Sequence, residues 1–161
     1  MDDGRNDIEL DALYRDTVLD HFRSPRGHKT LDRIDLTRDG YNPVCGDRIT
    51  MSVKLSDNAV EDVAVNCKGC VISVASASML AELLPGKSRE EALRLADAFK
   101  RMMHGHPPPP GLDIGDLDAL DGVKNFPVRV KCALLAWMTL IDALEEAEKK
   151  GDAPDRSTTT E

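Results

Sequence analysis

Four cysteines and one aspartate are the residues of this 161-residue chain whose types and spacing could do chemistry. Cys45 and Asp47 share the segment 42–47, in which Pro43 fixes one backbone angle and Gly46 permits a positive one. A tight turn of this composition can present a thiol and a carboxylate side by side. Because cysteine thiolates act as nucleophiles and as metal ligands, the turn is a candidate reactive or metal-binding loop.

Two further cysteines, Cys70 and Cys132, are expected near the starts of helices. Unpaired N–H groups and the helix dipole stabilise a thiolate at such a position. Together with Cys45 and Asp47, these cysteines could converge into the tetrahedral four-ligand site that Zn²⁺ accepts. A carboxylate beside soft sulfurs makes a site more exchangeable than four cysteines would, and an exchangeable ligand can free a thiolate to react.

This ligand set carries more negative charge than the ion it would hold. Three thiolates and one carboxylate exceed the charge of Zn²⁺ by two. The basic residues close to the ligands in sequence are candidates to offset the excess: Arg48, Lys68, Arg129 and Lys131. For Arg48 and Lys68 a solvated surface charge is the favoured interpretation.

A competing class comes from Cys67, which forms one Cys-x-x-Cys pair with Cys70 between a predicted strand and a predicted helix. This spacing suits a thioredoxin-like dithiol oxidoreductase, although that interpretation leaves Cys45 and Cys132 unexplained. Cys67 taken alone is more often a small apolar strand residue than a ligand. The four histidines show no ligand spacing, and His21 is expected on the first helix and in contact with solvent.

Hydrophobic periodicity predicts the elements that must position these groups. Helical spacing covers residues 8–22, the stretch after Gly69 up to Pro85, the stretch from the capping-box pair Ser88 and Glu91 to Met102, and the stripe from Val130 to Leu144. Alternation over 48–55 and again at Val63 and Val65 predicts a β-hairpin. The chain between the first helix and about Asn42 shows no regular pattern.

The predicted elements define a fold class and a domain organisation. Four successive prolines within 106–115 indicate an exposed connector, with a short helical piece over 116–120. We therefore expect an α+β fold in which a small antiparallel sheet of about three strands packs against several helices. Residues 1–150 are expected to form a single domain, and residues 151–161 a disordered tail.

Composition argues against several classes of function. The formal net charge of −8 does not favour nucleic acid or an acidic membrane as partner, because binding to phosphates normally rests on a basic face. The chain has no apolar run of the roughly 20 residues that a spanning helix needs. Its acidic N-terminus does not resemble a signal peptide, so a cytoplasmic protein is expected.

Four short motifs, taken in order, resemble the IscU/NifU-N family. They are Tyr14-Arg15-Asp16 to His21-Phe22, Asn42-Pro43-Val44-Cys45-Gly46-Asp47, Gly69-Cys70 with the serine-rich stretch 72–78, and Pro127-Val128-Arg129-Val130-Lys131-Cys132-Ala133. The stretch between Cys70 and Cys132 is longer than in IscU-type scaffolds, which resembles the SufU-type branch. Residues 125–129 and Lys131 depart from the chaperone motif and the histidine of IscU-type scaffolds, so an Hsp70-type chaperone partner is not favoured.

The resemblance implies a fold, a ligand set and a function. Zinc would be held by Cys45, Asp47, Cys70 and Cys132, and Arg129 would support the site. Cys45 would accept persulfide sulfur from a SufS-type cysteine desulfurase and pass it to downstream Suf cluster assembly proteins, as a sulfurtransferase-like acceptor rather than a stand-alone enzyme. The alternative is a scaffold that assembles a [2Fe-2S] or [4Fe-4S] cluster on the same cysteines, which leaves Fe²⁺ or a cluster open beside zinc.

Overall fold

The computed structural model describes residues 12–150 and 157–159 of the chain. In chain order the elements are α1 (Ala12–Arg23), β1 (Leu36–Asn42), β2 (Asp47–Ser56), β3 (Ala59–Lys68), α2 (Val71–Leu83), α3 (Arg89–Met102), a 3₁₀ helix (Gly115–Asn125), α4 (Pro127–Lys150) and β4 (Ser157–Thr159). The predicted α+β class is confirmed. The predicted first helix begins at Ala12, and its expected residues 8–11 lie outside the described part of the chain. Among the described helices, none is both long and apolar enough to cross a membrane.

The sheet has the strand order β3-β2-β1-β4, and the pairs β1–β2 and β2–β3 are antiparallel. The predicted small antiparallel sheet is therefore confirmed, including the β2–β3 hairpin. Alternate residues of β2 are buried: Asp47, Ile49, Met51 and Val53. Since α2 and α4 pack against the sheet, Asp47 begins its strand with the side chain enclosed by protein.

Strand β1 occupies a stretch for which the sequence predicted no regular structure. Its two buried residues are Gly40 and Asn42, so the strand carries no apolar alternation that could identify it. A Cβ atom at Gly40 would lie 2.3 Å from Thr139 Oγ1, because α4 crosses the strand closely at this point. Strand β1 is therefore held by close packing of Gly40 against α4 and by the buried Asn42 amide, and neither feature produces a hydrophobic pattern in the sequence.

The predicted disordered tail over 151–161 is wrong for Ser157–Thr159, which form β4. This short strand runs parallel to β1 and pairs with residues 39–41. Backbone pairing at an open sheet edge needs no apolar pattern, so a Ser-Thr-Thr segment gives no hydrophobic signal. The remaining residues of the predicted tail lie outside the described part of the chain.

The helices follow their sequence signals closely. Ser88 Oγ accepts the Glu91 N–H at 3.0 Å, and the Glu91 carboxylate accepts the Ser88 N–H at 2.9 Å, which confirms the capping box that begins α3. The predicted helical piece at 116–120 is part of a longer 3₁₀ helix. Trp137 of α4 is fully buried against Phe99 of α3, with ring centroids 5.7 Å apart. This contact anchors α4, the helix that carries Cys132.

The prediction that His21 contacts solvent is wrong, because the side chain is fully buried. Its Nδ1 lies 2.7 Å from Ser78 Oγ, and its Nε2 lies 2.8 Å from Asp116 Oδ2. Ser78 Oγ also accepts the backbone N–H of Arg26 at 2.8 Å. One imidazole therefore ties α1 to α2 and to the 3₁₀ helix. Glu82 Oε1 lies 3.6 Å from Nε2, so His21, Glu82 and Asp116 form a second group of potential metal ligands. The hydrogen bonds of His21 to Ser78 and Asp116 account for this group without a metal ion.

Replacing this imidazole should cost substantial stability. We expect His21→Ala to lower the free energy of unfolding by about 2–4 kcal/mol, because it leaves a cavity and removes the buried partner of Ser78. Urea unfolding followed by far-UV circular dichroism measures the change. The exposed His28 provides the matched control, and His28→Ala should stay within about 0.5 kcal/mol of the native chain. Equal losses in the two variants would contradict a tying role for His21.

Candidate metal centre

Three parts of the chain meet at the candidate site. The turn 43–46 joins β1 to β2 and carries Cys45, and Asp47 follows as the first residue of β2. Cys70 is the N-cap residue of α2, at the end of β3. Cys132 lies in α4. The predicted turn is confirmed, with the Gly46 N–H bonded to the Asn42 carbonyl at 2.8 Å and Gly46 at a φ of +77°.

The structure brings ligand atoms of Cys45, Asp47 and Cys132 within 4.8 Å of one another. The sulfur atoms of Cys45 and Cys132 are 3.3 Å apart. Cys45 is exposed, whereas Asp47 and Cys132 are fully buried. Two sulfurs and one carboxylate oxygen in one group are a donor set that suits Zn²⁺, and the exposed sulfur leaves the group accessible from solvent.

The buried Asp47 carboxylate is held by two donors. Its Oδ1 accepts the backbone N–H of Cys70 at 3.0 Å, and its Oδ2 accepts the Asn42 amide Nδ2 at 3.1 Å. The same Nδ2 lies 3.6 Å from Cys132 Sγ. Asn42 was not assigned a role from the sequence, although it belongs to the segment 42–47. It links the carboxylate to the buried thiol and fixes the orientation of both.

Cys70 stands beside this group rather than inside it. Its sulfur is not among the ligand atoms that lie within 4.8 Å of one another. The side chain makes no capping hydrogen bond to α2, and its backbone has a φ of −72° and a ψ of 170°. The Cys70 sulfur is thus free of a helix-capping role at the edge of the donor group.

Cys132 differs from the expectation of a thiol at a helix start. It lies five residues after Pro127, the first residue of α4, so it is beyond the first turn of the helix. At this distance the helix dipole stabilises a thiolate only weakly. Burial raises the pKa of the Cys132 thiol strongly, and hydrogen bonds with Asp47, Cys45 and Cys70 raise this pKa further. A bound cation would reverse this effect by favouring the thiolate.

Cys67 lies outside the group and packs partly against the core, opposite Ile49 on β2. Burial raises the pKa of its thiol to about 11, and this effect outweighs the hydrogen bond with Ser73, which lowers the pKa. A thiol with this pKa is almost entirely protonated at neutral pH, and Cys67 lies outside the group that holds Cys45 and the Asp47 carboxylate, so it is poorly placed for dithiol exchange. The position agrees with the small apolar strand residue inferred from the sequence.

Gly69 is the residue that lets Asp47 reach the backbone of Cys70. A Cβ atom added at Gly69 would lie 2.2 Å from Asp47 Oδ1 and 2.7 Å from Ser73 Oγ. No side chain fits between the carboxylate and the chain at this point. The glycine that precedes Cys70 in the sequence is therefore required by close approach rather than by an unusual backbone angle.

The basic residues expected near the ligands are exposed, apart from the half-buried Lys131. Arg48 is exposed and lies over the Tyr41 ring at 4.7 Å, and Lys68 is exposed, as the sequence interpretation favoured. Arg129 is exposed and lines, with Phe126, an apolar groove of about 580 Å³ between α1, α2 and the 3₁₀ helix. Since Arg129 lies three residues before Cys132, the two residues share one face of α4.

The site thus combines an exposed thiol with a buried carboxylate and a buried second thiol on a small α+β scaffold, and these three side chains could hold a metal ion. The chain belongs to the family of the NifU-like N terminal domain, whose model matches residues 13–133. This confirms the resemblance inferred from the sequence and places the chain among iron-sulfur cluster assembly proteins.

Individual relatives agree with this assignment. The chain is 42% identical to the zinc-dependent sulfurtransferase SufU of Bacillus subtilis, over 86% of this chain and 94% of that protein. It is 41% identical to the iron-sulfur cluster assembly scaffold protein IscU of Streptococcus pyogenes, over 86% of this chain and 87% of that protein. The crystal structure of a NifU-like protein (N-terminal) from Brucella abortus superposes with a TM-score of 0.78 at 25% identity, over 88% of this chain and 98% of that one.

A substitution at Gly69 should weaken metal binding without touching a ligand. We expect Gly69→Ala to displace the Asp47 carboxylate and to lower zinc affinity about 10–100-fold, the usual effect of losing the support of a ligand. Competition with a chromogenic chelator measures this affinity. Gly111→Ala is the control, because it strains a backbone at a φ of +84° without a steric clash, at a position away from the site. Unchanged affinity in folded Gly69→Ala would show that Asp47 does not need this approach.

Proposed function

We propose that this chain is a zinc-dependent sulfur acceptor that takes persulfide sulfur on Cys45 from a SufS-type cysteine desulfurase. The observation that carries the proposal is the position of Cys45, an exposed thiol 3.3 Å from the buried Cys132 and grouped with the buried Asp47. An acceptor needs one sulfur that a partner can reach and neighbours that control its reactivity. The 42% identity to a zinc-dependent sulfurtransferase supports the same assignment.

Zinc in this proposal is held by Cys45, Asp47, Cys70 and Cys132. The first, second and fourth are already grouped, and Cys70 is next to Cys132 at the edge of the group. When bound, the metal keeps the thiols deprotonated yet protected from side reactions. A bound metal ion would thus favour the thiolate form of Cys132, whereas burial by itself favours the neutral thiol.

The transfer step uses the exposed sulfur. The Cys45 thiolate attacks the outer sulfur of the desulfurase persulfide, a new S–S bond forms on Cys45, and the desulfurase cysteine leaves as a thiolate. The turn 43–46 is exposed and ends at Gly46, so Cys45 can extend toward a partner. Asp47 is the hard oxygen ligand in an otherwise sulfur set, which makes the set exchangeable.

Arg129 is the residue we assign to support of this step. It is exposed on the face of α4 that also carries Cys132, so its guanidinium can offset the excess negative charge of the thiolates. The partners in this proposal are a desulfurase and downstream Suf cluster assembly proteins in the cytoplasm. The family membership supports partners of these kinds, because the matching relatives are named for sulfur transfer and cluster assembly.

A second candidate function is a scaffold that assembles an iron-sulfur cluster on Cys45, Cys70 and Cys132. The 41% identity to an IscU scaffold protein favours it, and thiolates suit iron as well as zinc. Elemental analysis separates the two functions. Protein purified anaerobically without added metal should hold about one zinc per chain and no acid-labile sulfide, and Asp47→Ala should hold less zinc. Iron and sulfide in nearly equal amounts would instead establish the scaffold.

The acceptor function is tested directly with a SufS-type desulfurase and cysteine. We expect the native chain to stimulate cysteine turnover and to gain one sulfur on the tryptic peptide 39–48, which contains Cys45 alone among the cysteines. Cys45→Ala should return turnover to the rate of the desulfurase by itself, because the accepting sulfur is gone. Cys67→Ala is the matched control and should behave as the native chain. Full stimulation by Cys45→Ala would rule out Cys45 as acceptor.

A further inference from the structure

The two closest sulfur atoms of the site differ in their surroundings. Cys45 Sγ and Cys132 Sγ are 3.3 Å apart, close to van der Waals contact, with the first sulfur exposed and the second buried. A disulfide requires the sulfurs to approach to about 2.05 Å. Cys132 is buried within α4, whereas Cys45 lies on the exposed turn 43–46 with solvent beside its side chain. The remaining approach is therefore open to the Cys45 side chain rather than to Cys132.

We propose that Cys132 is a resolving thiol: when no metal ion holds its sulfur, it attacks a persulfide on Cys45, forms a Cys45–Cys132 disulfide and releases sulfide. This inference rests on the proposed function, since it starts from sulfur carried on Cys45. It adds a reaction that the acceptor role by itself does not require. The same two sulfurs then serve either as metal ligands or as partners in a disulfide.

The step balances without an added oxidant. Cys132 Sγ attacks the inner sulfur of the persulfide, which is Cys45 Sγ, and the bond between that sulfur and the outer sulfur breaks. The outer sulfur leaves as hydrosulfide with the electron pair of the broken bond, so it is reduced while the Cys132 sulfur is oxidised, and the oxidation state of the Cys45 sulfur does not change. Asp47, whose carboxylate lies within 4.8 Å of the Cys132 sulfur and shares the Asn42 amide with it, is placed to take the thiol proton. A dithiol reductant restores the two thiols.

The structure singles out Cys132 among the other cysteines. The Cys70 sulfur does not belong to the group around Cys45. Cys67 packs against the core on β3. The Asn42 amide, 3.6 Å from Cys132 Sγ, can stabilise negative charge as it develops on the attacking sulfur. Cys132 alone combines contact with Cys45 and polar groups suited to thiol exchange.

This reaction gives zinc a specific task in a sulfur acceptor. Sulfur carried on Cys45 is lost from the chain if Cys132 resolves it before a downstream protein collects it. A metal ion that holds the Cys132 sulfur as a ligand removes the attacking group and preserves the cargo. The metal-free chain should therefore lose sulfane sulfur as sulfide, and the zinc-loaded chain should retain it.

The test loads sulfur chemically, so that it does not depend on a desulfurase. Metal-free native chain is treated with inorganic polysulfide and desalted under mildly acidic conditions, which slow thiolate attack. It is then brought to mildly alkaline pH. Each of the four cysteines falls in a different tryptic peptide, 39–48, 55–68, 69–87 and 132–149, so mass spectrometry identifies every persulfide and disulfide. We expect the persulfide on 39–48 to disappear as a 39–48/132–149 disulfide and about one equivalent of sulfide appear together.

Variants and zinc supply the controls. Cys132→Ala should keep the persulfide on Cys45 and release little sulfide, Cys67→Ala should behave as the native chain, and zinc added before polysulfide should slow release. Circular dichroism shows whether Cys132→Ala is folded, and the peptide map of the native chain decides the question if it is not. A disulfide to Cys70, a persulfide moved intact to Cys132, or sulfide release without any disulfide would each overturn the proposal. A native chain that resolves polysulfide sulfur but receives none from a desulfurase would refute only the acceptor function.

Discussion

The buried Asp47 carboxylate is the interaction on which the rest of the site depends. It accepts hydrogen bonds from the Cys70 backbone and from the Asn42 side chain, and so joins the start of α2 to the β1–β2 hairpin. Burying a carboxylate lowers the stability of the fold unless its oxygens accept hydrogen bonds. These two hydrogen bonds therefore hold the first residue of β2 next to the first turn of α2. The space for this contact exists only because Gly69 has no side chain. One close approach therefore sets the positions of the chain segments that carry Cys45 and Cys70.

The fold divides the site into a rigid part and an accessible part. Cys132 is carried by a helix whose Trp137 is buried against α3, and Asp47 begins a central strand of the sheet. Cys45 instead lies on a four-residue turn that faces solvent. Ligands on regular elements are placed with more precision than ligands on loops, whereas a reacting group needs reach. This division suits the proposed function, in which the site holds a metal ion and Cys45 passes on sulfur.

The two chemical fates of Cys132 follow from its burial. Without a cation, its pKa is raised by the loss of solvent and by the neighbouring acidic groups, so the buried thiol is neutral. With a cation, the same enclosure strengthens the attraction between metal and thiolate, because the local dielectric constant is low. The site is thus sensitive to metal occupancy in a way that an exposed cluster of the same residues would not be. In the proposed function, zinc binding and sulfur transfer are linked through this one residue.

Much of the protein could be predicted from the sequence alone, because those features depend on local signals. The β2–β3 hairpin, the capping box of α3 and the turn around Cys45 each depend on residues that are close together in the chain. Each motif of the family is likewise a short run of residues. Other features rest on contacts between distant residues. Strand β1 is stabilised by pairing and by α4 rather than by apolar alternation, and His21 is buried by hydrogen bonds to Ser78 and Asp116.

The site shows the same division. The types and order of Cys45, Asp47, Cys70 and Cys132 were evident from the sequence. Only the tertiary structure decided that Cys132 lies beyond the first turn of α4 and in contact with Cys45, that Cys70 stands at the edge, and that Asn42 links the carboxylate to a thiol. Sequence determines which groups are available and the local turns that present them. Distances between groups far apart in the chain are set by packing, which no local pattern contains.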